Sequence, residues 1–110
     1  MPNIDGPDGV TPEQRKVYKQ DCLKSAQLFK EALEKHHDSK EVPQKEAFEK
    51  VMNDALKVMN QTAKWGCRDH KLEEKKEKDL NQDYQKYLED DNDKNYQNLQ
   101  KDIQEFKRSL

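Results

Sequence analysis

The sequence predicts an all-α fold: a small antiparallel bundle of three to four helices, built from a hairpin of helices 1 and 2 plus a long or bent C-terminal helix. Three observations carry this. Between residues 47 and 65, Ala47, Phe48, Val51, Met52, Ala55, Leu56, Val58, Met59, Ala63 and Trp65 share one arc of a helical wheel, and charged or amide residues fill the other. From residue 70 onward there is neither Gly nor Pro to interrupt a helix. At 110 residues, one domain is the expectation.

Residues 1–10 hold two glycines and two prolines and read as a flexible arm, leaving 11–110 as the folded unit. Helix 1 is expected from about 12 to 37. Thr11 suits its N-cap, Pro12 its first position, and Gln14 can close a capping box. Its inner arc holds Tyr18, Cys22, Ala26, Phe29, Ala32 and Leu33, with Val17 and Leu28 on its flank, while Leu23 points away. Residues 36–40 end this helix, and Pro43 fits the first turn of helix 2. So short a connection implies a hairpin. The apolar arc of helix 2 is broader than one neighbour covers, which makes it the central helix. Gly66 is expected just past its end, and Asp69 is expected to cap the next helix.

Beyond residue 70 the apolar stripe Leu80, Tyr84, Tyr87, Leu88 is out of phase with Tyr96, Leu99, Ile103, Phe106, Leu110. The mismatch falls at 89–95, a run of Asp and Asn with poor helix propensity, so a bend or break is expected there. A single long helix is the alternative. The expected core is Tyr18, Cys22, Phe29, Leu33, Phe48, Val51, Met52, Ala55, Met59, Leu88, Leu99, Ile103 and Phe106. Tyr84, Tyr87 and Tyr96 suit the rim of a thin bundle, ring buried and hydroxyl wet.

Composition bounds the function classes. Charged residues make up 40% and hydrophobic ones 31%, with a mean hydropathy of −1.44, so the core is thin and open to completion by a partner. Net charge is −2, with the two signs interleaved. No basic face for nucleic acid, no basic amphipathic helix for a membrane surface and no membrane-length apolar run is present. The first residues lack the basic and apolar regions of a secretory signal. A cytoplasmic protein is expected, with export through a polar N-terminus left open.

Candidate chemistry is sparse. Asp91, Asp93, Asn95 and Asp102 occupy oxygen-ligand positions of a loop like that of an EF-hand, but Tyr96 stands where its glycine belongs and Lys94 opposes a cation. These four are weak candidates for a divalent metal; no cofactor is expected. Cys22, His36, His37, Cys67 and His70 are zinc-ligand types, yet Cys22 and His36 lie ~21 Å apart along one helix. In a straight hairpin Cys22 lies opposite the region near 58, so a disulfide to Cys67 requires the chain to fold back after Gly66. Gly6, Gly9 and Gly66 form no phosphate cradle, and no nucleophile and base are held together by spacing.

The expected function is therefore non-enzymatic: a helical protein–protein interaction module of the adaptor, assembly-chaperone or secretion-apparatus accessory type. Its partner would be a helical protein or a second copy. Tyr96, Leu99, Ile103, Phe106 and Leu110 are the candidate contact residues, with the fourth wall of the chain's own core as their competing role. An exported effector or surface antigen, or a weak divalent-cation binder, are the alternatives.

Overall fold

The computed structural model describes residues 11–66 and 70–110. They form four α-helices and no strand: α1 (Pro12–Asp38), α2 (Val42–Gly66), α3 (His70–Glu89) and α4 (Asp93–Ser109). The expected arm 1–10 and the expected cap Asp69 lie outside the described residues.

Local chemistry sets the ends. The Thr11 side chain accepts from the Gln14 amide at 3.1 Å, and the Thr11 amide donates to Gln14 Oε1 at 3.0 Å, closing the expected capping box. Lys35 sits in the last turn, where positive charge complements the helix dipole. The Ser39 hydroxyl donates to the Lys35 carbonyl at 2.7 Å and satisfies one terminal acceptor. Pro43 falls in the first turn of α2.

The Asp/Asn run is a break. Asn92 is extended, and its side chain accepts from the Asn95 amide at 2.8 Å, which caps α4. Asn95 in turn donates its side chain to the Asp90 carbonyl at 2.8 Å. Side chains that compete with the backbone for hydrogen bonds end one helix here and start the next. The two apolar stripes can then both face inward.

α1 pairs with α2, and α3 with α4; α1 also touches α4, and α2 touches α3. The body measures 54 × 21 × 16 Å. Its core joins Cys22, Phe29 and Leu33 of α1 to Met52 and Met59 of α2, Leu80, Tyr84 and Tyr87 of α3, and Leu99, Ile103 and Phe106 of α4. Burying each large apolar side chain contributes roughly 1.5–3 kcal/mol. The Tyr84 ring meets Phe29 edge-on, with centroids 5.1 Å apart.

Four expectations need correction. Val51 is not core but 43% exposed, and Tyr18, Phe48 and Leu88 are only partly buried. Two neighbouring helices cover less of α2 than its apolar arc spans. Leu23, expected outward, packs against the core. Tyr84 and Tyr87 are fully buried rather than at a wet rim. Gly66 is the last residue of α2 rather than the residue beyond it, and its φ lies outside the left-handed region. Its role is close approach: an added Cβ would lie 2.7 Å from the Lys19 nitrogen and 2.8 Å from the Lys19 Cα.

Candidate functional site

Two regions of the surface and core stand apart from ordinary packing. The first is a shallow groove between α1 and α2. Ser25, Leu28, Val51, Asp54, Ala55 and Val58 line a cavity of about 220 Å³ there. The small residues Ser25 and Ala55 are buried in it, whereas Leu28 is 53%, Val51 43% and Val58 36% exposed. Val17, 55% exposed, lies three turns from Leu28 along α1. Beside Val17, Tyr18 and Trp65 face each other across the two helices with ring centroids 6.3 Å apart. Partly buried Phe48 lines a further cavity with Lys35 and Gln44, beyond Val51. Large apolar side chains thus recur along the whole α1–α2 seam. Isolated exposed valines mean little, but Leu28, Val51 and Val58 gather around one cavity, and such a cluster is a usual mark of a contact surface.

The second region is a polar cluster at the end of the body where α1 gives way to α2 and α3 to α4. His36 is 3% exposed. Its Nδ1 lies 2.7 Å from the Tyr87 hydroxyl and its Nε2 3.5 Å from a Glu49 carboxylate oxygen. Burial holds the His36 pKa below the ordinary imidazole value, although Glu49 pulls it up. Burial likewise pushes the Tyr87 phenol up. A neutral imidazole with its proton on Nε2, facing Glu49, satisfies both contacts: Tyr87 donates to Nδ1. The residue pair is closed to solvent and ties α1 to α2 and α3. His37 stacks on Tyr96 at 3.9 Å, and its Nε2 lies 2.9 Å from Asp93. Lys45 pairs with Asp91 and holds that carboxyl below its usual value.

Between the helices lie two groups of carboxylates that sequence reasoning missed. Glu73 is 1% exposed; burial, then Glu77 and Glu74, push its pKa to about 8. Asp102 of α4 is pushed to about 8 by burial and by its hydrogen bond and charge contact with Asp83 of α3, with Asp79 and Glu105 adding to it. Each cluster therefore holds a proton to a higher pH than free carboxyl groups do. Amides bridge α2 and α3 nearer the surface: Asn60 and Asn81 exchange hydrogen bonds at 3.2 Å, and the Tyr84 hydroxyl donates to Asn53 at 2.6 Å.

The sequence-derived candidates fall as follows. Leu99, Ile103, Phe106 and Leu110 lie in the chain's own core, with Tyr96 packed against it. Asp91 goes to Lys45, Asp93 to His37, Asn95 to the Asp90 and Lys86 carbonyls, and Asp102 to Asp83. Those four therefore do not converge on one point. Among the described residues no group of three or more His, Cys, Asp or Glu side chains is placed to hold a metal ion. Cys22 is buried and its Sγ donates to the Met59 carbonyl at 3.7 Å, next to the residue expected opposite it. Cys67 and the side chain of His70 lie outside the described residues. No described helix is long and apolar enough to cross a membrane. No protein-family model matches the sequence, and no curated protein or solved structure is significantly similar to it.

Proposed function

We propose that this chain is a non-enzymatic helical protein–protein interaction module whose contact surface is the α1–α2 groove. The observation that carries the reading is the row of exposed Val17, Leu28, Val51 and Val58, flanked by Tyr18, Trp65 and Phe48. This departs from the C-terminal stripe as the contact surface, because Leu99, Ile103 and Phe106 are occupied within the fold. The contacts of Tyr18 with Trp65, Cys22 with Met59 and His36 with Glu49 descend along α2 as they ascend along α1, which supports an antiparallel hairpin. Such a hairpin presents its groove as one straight strip along both helices. A strip of this shape takes an amphipathic helix or another hairpin.

The test is retention of proteins by the immobilised full chain, compared with a Val17→Lys/Val58→Lys variant checked for helicity by circular dichroism. Both sites are exposed, so the variant should fold. Loss of a specifically retained protein supports the reading. Identical retention by both chains refutes it.

A further inference from the structure

We infer that the occupant of the α1–α2 groove is a second copy of this chain, docked two-fold and with the two α1 helices running in opposite directions. The inference rests on the proposed role of the groove and adds its partner. Its basis is a charge pattern that complements itself. On the outer side of α1, Asp21 lies seven residues before exposed Leu28 and Lys35 seven residues after it. Seven residues are two helical turns, so all three share one line, ~10 Å apart. Lys24 and Glu31 flank Leu28 at four before and three after, again with opposite signs. All four charged residues are exposed. Reversing α1 about Leu28 therefore sets acid against base: Asp21 meets the second copy's Lys35, and Lys24 comes within one residue of its Glu31. Leu28 meets itself on the axis.

The α2 side obeys the same operation. Val51 and Val58 lie symmetrically about Asp54 and Ala55, and Ala55 lines the groove beside Leu28. Reversal places Val51 of one copy against Val58 of the other. Asp54 meets its own equivalent near the axis, and this like-charge contact weakens the pair. A two-fold interface needs a self-complementary patch of this kind. Two helices of about 40 Å, packed 8–10 Å apart, present roughly 700 Å² per copy, close to the ~800 Å² per partner of a standard interface.

Sedimentation equilibrium of the full chain, from about 1 μM to about 1 mM, tests it. The wild type should self-associate to a dimer. Leu28→Glu should weaken the dimer about tenfold or more, since it buries two like charges on the axis. Asp21→Lys and Lys35→Asp should each weaken it, and an equimolar mixture of these two variants should recover association. Asp54→Asn should tighten it. A wild type that stays monomeric throughout overturns the second copy as occupant. So does a mixture of the two charge variants that associates no better than either alone. If the chain is monomeric but Val17→Lys/Val58→Lys abolishes retention of another protein, the second copy is overturned while the groove's role as a contact surface stands.

Discussion

Replacing Asp102 by Asn removes a carboxyl that the folded chain keeps protonated. In the unfolded chain this group titrates near 3.8; in the fold it is pushed to about 8 by burial, by Asp83, and by Asp79 and Glu105. Between those values the folded state binds a proton that the unfolded state has released. Stability must then fall as pH rises, being unaffected below the unfolded value and fully reduced above the folded one. The limiting slope for one such group is about 1.4 kcal/mol per pH unit, so pH 5 to 7 costs up to roughly 2–3 kcal/mol. Asparagine has the same shape, can still donate to Asp83, and carries no proton to lose. Urea unfolding of both chains at pH 4, 5, 6, 7 and 8 provides the assay. Asp102→Asn should match the wild type near pH 4 and exceed it by roughly 1–3 kcal/mol near pH 7. A variant less stable at every pH, or a stability difference that does not change with pH, would mean that Asp102 does not hold its proton in the fold.

Three further substitutions test the packing. Gly66→Ala should destabilise by about 1 kcal/mol or more in thermal or urea unfolding, because the methyl group would press on the Lys19 backbone 2.7 Å away and outweigh the gain in helix propensity. Unchanged stability would mean that α1 and α2 can separate freely at that end. Tyr87→Phe leaves His36 Nδ1 buried without its donor and should cost about 1–3 kcal/mol, measured by the same unfolding. It should also shift the imidazole titration followed by NMR. Thr11→Ala removes the side-chain half of the capping box and should cost about 1 kcal/mol, with the loss of helical signal confined to the start of α1.

Much of the helix layout could be read from the chain because its signals are local. The Thr11–Gln14 box, Pro43 and the Asp/Asn run each act within a few residues, and each sits where such chemistry places it. What the wheel could not supply was which part of an apolar arc finds a neighbour. Val51 and Met52 are adjacent in sequence and both apolar, yet only Met52 is buried. The difference is decided by where α3 and α4 lie, which is a long-range outcome. The burial of Tyr84 and Tyr87 is hidden for a similar reason: their hydroxyls are satisfied by Asn53 and His36, residues on other helices. Glu73 carried no signal at all, since a carboxylate in a charged run reads as solvated. The groove is obscured in the sequence because Val51 and Val58, which line it, share the apolar arc of α2 with residues that are buried, such as Met52 and Met59. Once α4 occupies the core with Ile103 and Phe106, Leu28, Val51 and Val58 are left outside.

Paired alanine substitutions measure that exchange of roles between the C-terminal stripe and the α1–α2 groove. Urea unfolding at low micromolar concentration should show Ile103→Ala destabilised by roughly 2–5 kcal/mol and Leu28→Ala within about 0.5 kcal/mol of the wild type. Near-equal losses at the two positions, or a larger loss at Leu28, would contradict it.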